Sequence, residues 1–367
     1  MYLHQHKDWP NFTWEADVFA TLLLEARHQQ GRILGWMEAL GFDLQEEAKL
    51  ETLALNVIKS GEIEGEILAT DKVRSSLARK LGVPMAGMVA SGRHIDGLVD
   101  MMLDATRNFN TQLTHKRLFG WQAALFPTGH SGIYVVEAGK YRTNASDDPM
   151  QIVSGALGRE KVHYTAPDSA LLQKEMAQFL NWFNKKDALD SFLKAAIAHL
   201  WFELIHPFAD GNGRVGRAIM DMQLAKADGT AQRFYSLTTQ ILKERKAYYK
   251  QLEQAGEDGL DITAWIQWFL QCLINTFNAT KEVLETIINK AKFWQIHATT
   301  VLSPRQVLMI HKLLDGFNGN LNTSKWAQLA KTSPDTALRD IQDLEAKKIL
   351  QKDAGGGRST SYSLAVQ

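Results

Sequence analysis

Apolar residues recur at intervals of three and four over most of this chain, and that spacing confines it to a mainly α-helical architecture. The pattern runs through WEADVFATLLLEARHQQGRILGWMEAL, resumes after Gly41 in EEAKLETLALNVIKS, and returns in DKVRSSLARKL, HIDGLVDMMLDATRNF and HKRLFGWQAALF. Between about 128 and 168 it gives way to β-branched and aromatic residues punctuated by Gly, Asn, Asp and Pro, which predicts a loop carrying one short hairpin. Helical spacing then returns in SALLQKEMAQFLNWF, SFLKAAIAHLWFELI, RAIMDMQLAKA, KERKAYYKQLEQA and the long run ITAWIQWFLQCLINTFNATKEVLETIINKAKFW.

The end of the chain has a different texture. TSKWAQLA, a turn at Lys331–Ser333, a second helix opened by Pro334, and two β-like runs around the Gly-rich tip of ILQKDAGGGRSTSYSL together resemble a winged helix. Residues 301–367 hold nine Lys and Arg against six Asp and Glu, which fits contact with DNA or protein through 300–367. Over the whole chain, 41 basic residues balance 41 acidic ones, so a nucleic-acid partner would be met locally. There is no run of about 18 apolar residues and no apolar stretch behind a basic start, so no membrane span and a cytoplasmic location are expected. The lone cysteine, Cys272, lies in an apolar run; this excludes an intramolecular disulfide or a Cys-based zinc cluster and marks the thiol as core. The expected organisation is a helical region over 1–110, a central core over 111–295 and the last domain over 300–367.

The chemistry concentrates in HPFADGNGRVGR, His206 to Arg217. A helix ends at His206-Pro207 and another begins near Asn212 or Gly213. The glycines of the turn let backbone N–H groups approach a ligand, and the new helix start adds its positive dipole end, so the turn is suited to phosphate. Arg214 and Arg217 lie three apart on one helical face and can reach one polyphosphate. Asp210 beside those phosphates suits Mg2+, which takes one or two carboxylates with substrate oxygens, and His206 at the mouth suits a general base.

The same twelve residues resemble the signature of Fic-domain proteins, His-x-Phe-x-Asp/Glu-Gly-Asn-Gly-Arg-x-x-Arg, at every specified position. GKYRT at Gly139–Thr143 and VHYTAP at Val162–Pro167 look like that family's flap region, and KERKAYYKQLEQA like its following helix. The resemblance implies transfer of AMP from ATP to a Ser, Thr or Tyr hydroxyl of a protein, with Mg2+ and with auto-modification. By it, His206 deprotonates the hydroxyl and Asp210 holds the metal. Gly211, Asn212 and Gly213 cradle the α- and β-phosphates, Arg214 meets the β- and Arg217 the γ-phosphate, and Phe208 points into the core. The flap, with Gly158, Val162, His163, Tyr164 and Thr165, pairs with an extended target segment. Tyr249 lines the nucleoside pocket. Gly256 stands where relatives often carry an asparagine near the base, a departure that bears on nucleobase preference.

SGEIEGE, Ser60–Glu66, crowds three glutamates and two glycines against a helix. SGEIEG matches the family's inhibitory motif Ser/Thr-x-x-x-Glu-Gly/Asn, which implies that Glu64 pairs with Arg217 in the space of the γ-phosphate while Ser60 steadies the helix. Glu62 and Glu66 read as solvated acids at the helix end, and Gly61 as the residue that allows a tight turn. Two other functions use the same residues: removal of AMP through water positioned by Glu64, and DNA-binding regulation in which the Fic site is accessory. A second copy of the chain is a further candidate partner.

Overall fold

The computed structural model describes residues 2–39, 42–83, 88–154, 161–257, 259–314, 320–353 and 360–365. Gly41, Gly158 and the Gly-rich tip at 354–359 lie outside them. The described chain is mainly helical and divides into two units, Met1–Lys281 and Glu282–Gln367.

In the first unit the helices are α1 (Ala16–Ala39), α2 (Phe42–Ile63), α3 (Thr70–Leu81), α4 (Arg93–Arg107) and α5 (His115–Leu125). Two antiparallel ribbons follow, β1 (His130–Ser131) with β2 (Tyr134–Val135), and β3 (Gln151–Ser154) with β4 (Lys161–Thr165). Then come α6 (Leu172–Asn184), α7 (Ser191–Ile205), α8 (Asn212–Asp228), α9 (Leu237–Lys243), α10 (Arg245–Glu257) and α11 (Thr263–Ile296), within which the unit boundary falls. The loop expected to hold one hairpin therefore holds two. Gly132, at φ 58°, turns the first between Ser131 and Tyr134, a conformation glycine adopts without a Cβ penalty.

Every residue of α7 from Phe192 to Ile205 is buried, as expected of a helix apolar all round and packed on every side. It packs on α8, whose residues from Arg214 to Ala225 are also buried. The core around this pair includes Leu53, Val57, Leu98, Met102, Trp121, Phe179, Phe202, Phe208, Val215 and Ile219. At the far end of α8, Asp228 accepts from Gln30 of α1 (2.6 Å) and from Tyr235 (3.0 Å), and pairs with the buried Arg233 (2.9 Å). Arg27 of α1 reaches Asp190, the N-cap of α7, at 2.8 Å. These contacts fasten α1 to the central pair. Cys272 is buried in α11.

The second unit contains α12 (Pro304–Leu314), α13 (Thr323–Leu329), α14 (Pro334–Ala346) and the antiparallel ribbon β5 (Leu350–Lys352) with β6 (Tyr362–Leu364). Asn322 and Ser333 cap α13 and α14, with Pro334 in the first turn of α14. Leu321 bridges Tyr362 of β6. Met309, Trp326, Ala337, Ile341, Leu344 and Leu350 form the unit's own core.

Candidate active site

The site is built where α7 stops and α8 starts. His206 caps α7 in the left-handed region, φ 50° and ψ 57°, which is uncommon for a residue with a side chain and needs surrounding structure to hold it. Arg142 supplies that structure. Its Nε donates to the His206 carbonyl (2.8 Å), its Nη2 to the Pro167 carbonyl (2.5 Å), and its backbone N–H to the Pro207 carbonyl (3.0 Å). Phe208 is fully buried against Tyr141, ring centroids 5.5 Å apart, which fixes the loop from below.

Asn212 is buried, and its side chain closes the loop on itself: Oδ1 accepts from the Phe208 N–H (2.9 Å) and Nδ2 donates to the Phe208 carbonyl (2.7 Å). Only its backbone remains for a phosphate. Gly211, at φ 89°, caps α8, and the first helical hydrogen bond runs from Val215 to the Gly211 carbonyl. The N–H groups of Asn212, Gly213 and Arg214 therefore have no acceptor four residues back and form the anion nest.

Glu64 occupies the mouth of that nest. Its Oε1 lies 2.7 Å from Nη2 of the buried Arg217, and a side chain on Gly213 would collide with its carboxylate. Ser60 does more than steady a helix: its hydroxyl accepts from Arg217 Nε (2.9 Å) and its carbonyl from Nη2 (3.1 Å). Burial favours the neutral form of Glu64, but the Arg217 guanidinium outweighs it and holds the carboxyl below its ordinary range. Arg217 is shifted the other way: burial works against its charge, and Glu64 more than restores it.

The segment that carries Glu64 is a helix C-cap. α2 runs through Ser60, Gly61 and Glu62 to Ile63; Gly65 then turns at φ 82°. The Gly65 N–H bonds the Glu62 carbonyl (3.1 Å) and the Glu66 N–H the Gly61 carbonyl (2.9 Å), the paired bonds of a Schellman motif. Gly61 is needed because Leu68 and the Glu66 carbonyl double back to 3.1–3.2 Å from where its Cβ would stand.

Glu62 pairs with Lys59 (2.8 Å) along the helix. Glu66, expected to be solvated, instead accepts from His94 of α4 (2.5 Å) and lies 3.4 Å from Arg214 Nη1. The reason is the αL turn at Gly65, which swings Glu66 back toward α4 and α8. Arg214 also reaches Asp210 at 3.5 Å and stacks over Phe126, 5.1 Å from the ring centroid.

Two cavities share Glu64 as a wall. One, of about 620 Å³, is lined by His206, Gly213, Arg217, His163, Tyr248 and Tyr249 among others. The other, of about 730 Å³, takes in Asp210, Arg214, Glu66, His94, Arg93 and His130. In the first, burial pushes the His206 imidazole down to about 4, so the ring is neutral near pH 7. Its Nδ1 faces the Glu203 carbonyl (3.3 Å), so Nδ1 carries the hydrogen and Nε2 is left to accept a proton. The Glu203 side chain is buried below, raised to about 8 by that burial, with Oε1 lacking a hydrogen-bond partner among the described residues.

The expected flap pairs Gln151 with Thr165 and Ile152 with Tyr164, and a bulge leaves His163 as the extra residue. Val162 is exposed, whereas the His163 ring bonds Glu253 of α10 (2.8 Å). Tyr164 is buried at 3% exposure and is an anchor rather than a docking side chain. Its hydroxyl meets His4 (3.0 Å), Tyr2 packs edge-on against its ring, and the ring presses on Gly256, whose Cβ would stand 3.0 Å from Cδ2. A side chain at 256 would have to displace that ring. Tyr249 is 42% exposed at the cavity edge, beneath Arg245.

Arg142, Glu66, His94 and Glu203 were not identified from sequence. The GKYRT resemblance contained Arg142 but nothing assigned its fork to carbonyls. For Glu66, His94 and Glu203 the only signal was charge near an apolar stretch, which usually marks a solvated face.

Residues 112–224 match the Fic/DOC family, and residues 2–83 match a domain of unknown function, DUF4172. The chain is 24% identical over 235 residues to protein adenylyltransferase Fic of Nematostella vectensis, covering 61% of this chain and 48% of that protein. It is 25% identical over 242 residues to protein adenylyltransferase Fic of Drosophila virilis, 63% of this chain and 43% of that protein. The chain thus spans about half the length of the curated relatives it matches. Among solved structures, a Fic family protein from Desulfovibrio desulfuricans superposes with a TM-score of 0.55 at 20% identity, covering 98% of both chains. A Fic domain containing signaling protein from Bacteroides thetaiotaomicron gives 0.51 at 16%, covering 73% of this chain and 98% of its own. The signature His206–Arg217, folded between two central helices, lies within the residues 112–224 that match the Fic/DOC family.

Proposed function

We propose that the chain is an autoinhibited protein adenylyltransferase, moving AMP from ATP to a hydroxyl of a target protein or of itself. The observation that carries this reading is the position of Glu64, which fills the mouth of the nest beside Arg217 and so stands where a phosphate would be bound. A bound anion would have to displace this carboxylate to reach Arg217 and the free N–H groups of the helix start.

In the open state the target segment lies along a free edge of the β3–β4 ribbon, where main-chain pairing presents a hydroxyl. Neutral His206 takes the hydroxyl proton at Nε2 as the oxygen bonds to the α-phosphorus and the bond to the β-phosphate oxygen breaks. A base with a pKa as low as about 4 takes that proton late, as the new bond forms. Pyrophosphate leaves, and its charge is met by the α8 N–H groups, Arg214 and Arg217. Asp210 fits as the protein's share of a Mg2+ site, because its carboxylate is partly exposed at the mouth and this ion takes its other ligands from phosphate and water. Mg2+ would neutralise charge between the phosphates. Among the described residues no three His, Cys, Asp or Glu side chains group to hold a metal by themselves, so a bound ion would share substrate oxygens. Tyr248 and Tyr249 border the cavity left for the nucleoside.

Glu64→Gly is expected to transfer label from ATP marked at the α-phosphate, to itself or to proteins of a lysate, well above the wild type. Label at the γ-phosphate should stay in solution, and His206→Ala in the Glu64→Gly background should transfer none. An unlabelled Glu64→Gly protein that still binds ATP would refute the reading. A second reading is favoured by the same ionised Glu64, which could hold water for attack on an AMP-modified protein. Glu64→Gly would then lose AMP removal and gain no addition.

For the second unit we propose a winged helix. Two capped helices separated by a short turn, followed by an antiparallel ribbon, support it. If it contacts DNA, binding of the full chain to duplex should weaken steeply as salt rises. Binding that is absent or indifferent to salt would point to a protein partner instead.

A further inference from the structure

We propose that Glu66 is a second counter-charge of the nucleotide site, holding Arg214 against the phosphates as Glu64 holds Arg217, and that His94 seats it. The proposal rests on the nucleotide reading given above and adds a latch to it.

The Schellman cap explains how one helix end serves two arginines. Glu64 is the last residue before the αL turn and Glu66 the first after it, so the turn at Gly65 points both carboxylates at α8. Glu66 Oε2 lies 3.4 Å from Arg214 Nη1, and Glu66 Oε1 lies 2.5 Å from His94 Nε2. Arg214 is nearly buried, and its Nε has no hydrogen-bond partner among the described residues. A buried cation with only long contacts gains most from whichever anion comes closer. Phosphate must therefore displace Glu66 as well as Glu64.

The ring of His94 is fixed from both sides. Its Nδ1 faces the Leu125 carbonyl at 2.9 Å and its Nε2 faces the Glu66 carboxylate. Both neighbours are acceptors, so both ring nitrogens must donate and the imidazole carries a positive charge. Its hydrogen bond to Glu66 raises its pKa above the ordinary value, against burial and Arg214. His94 in turn holds Glu66 below the usual carboxylate range, with Arg214 assisting and burial opposing. The other charged or titratable groups around this cavity are Arg93, His130, Asp210 and Glu64. The sign follows. A histidine with a raised pKa contributes while protonated and ceases to as pH rises through that value. The neutral ring then turns a lone pair toward Glu66 or abandons Leu125. The latch is closed below the raised pKa of His94 and loosens above it.

The test is calorimetric binding of Mg·ATP to full-length Glu64→Gly, Glu64→Gly/Glu66→Gln and Glu64→Gly/His94→Gln, with melting temperatures and AMP transfer recorded in parallel. Removing the Glu66 charge at constant shape should tighten ATP binding by about 5-fold or more, the lower range of conformational coupling. His94→Gln should do the same. The affinity of Glu64→Gly should rise as pH climbs above the ordinary histidine value of about 6.5, and His94→Gln should flatten that rise. Unchanged or weaker ATP binding in both double variants overturns the latch, as does a lower melting temperature with no gain in affinity. Tighter binding without AMP transfer would keep the latch and sink the transferase; AMP transfer without the affinity gain would do the reverse.

Discussion

Arg217 is buried and His206 half-buried at the cavity wall, and the consequences for their charges are opposite. Arg217 stays charged because Glu64 and Ser60 compensate it. His206 stays neutral because burial, with Arg142 assisting, outweighs the Glu203 carbonyl, Glu64 and Asp210, which favour its proton. A base lowered to about 4 is competent over the whole neutral range. The transfer rate of Glu64→Gly should therefore show no acidic limb from His206 between about pH 5.5 and 7.5, where an unperturbed histidine would give one. Removing Glu64 takes away one carboxylate that supports the proton, which moves the limb further down. Comparing the pH profile with that of Glu64→Gly/His94→Gln separates the latch, and a surviving limb near about 6.5 would contradict the burial argument. The proximity of His206, Asp210, Arg214 and Arg217 was legible because HPFADGNGRVGR keeps them on one local turn and the helix it opens. The partners that tune them were not. Glu66 meets His94 across 28 positions and Arg214 across 148, and pairings at such separations are made by the fold.

At the scale of elements, the end of α2 places Glu64 and Glu66 against the arginines of α8. SGEIEGE looked like an interruption of helical spacing, yet the helix continues to Ile63 and the second glycine is its cap. Gly65→Ala places a Cβ at φ 82° and should cost about 1–2 kcal/mol of stability. Because that strain is relieved by letting the cap come loose, the same substitution should tighten ATP binding while lowering the melting temperature. A lower melting temperature with ATP binding equally weakened would mean that the cap supports the nest rather than blocking it. The helices were legible from apolar spacing, as in α6, which buries Leu172, Met176, Phe179, Leu180 and Phe183; α7 and α8 bury polar residues as well, Glu203, Arg217 and Asp221 among them, which that spacing does not mark. The ribbons were less so. Strands of two residues, such as β1 and β2, carry too little alternation to read, and only the turn at Gly132 marks them. The buried position of Tyr164 depends on Tyr2, His4 and Gly256, which no local pattern connects.

On the scale of the whole molecule, the chain has two compact units with separate cores. In the first, the opening residues reach the flap through Tyr2 and His4, and α1 is fastened to the ends of α7 and α8, so the region matching DUF4172 and the Fic/DOC domain share one body. In the second unit, α14 opens at Pro334 after the turn at Lys331–Ser333, as its sequence predicts. Its partner is set by surface chemistry that a mild excess of nine basic over six acidic residues does not specify. None of the described helices is long and apolar enough to cross a membrane. The measurement that bears most directly on the proposed plug at Glu64 is the intact mass of Glu64→Gly after incubation with Mg·ATP. Addition of one or more AMP units, absent when His206 is also replaced by Ala, is the predicted result. A mass unchanged while ATP is bound, or a gain of phosphate instead of AMP, would contradict it.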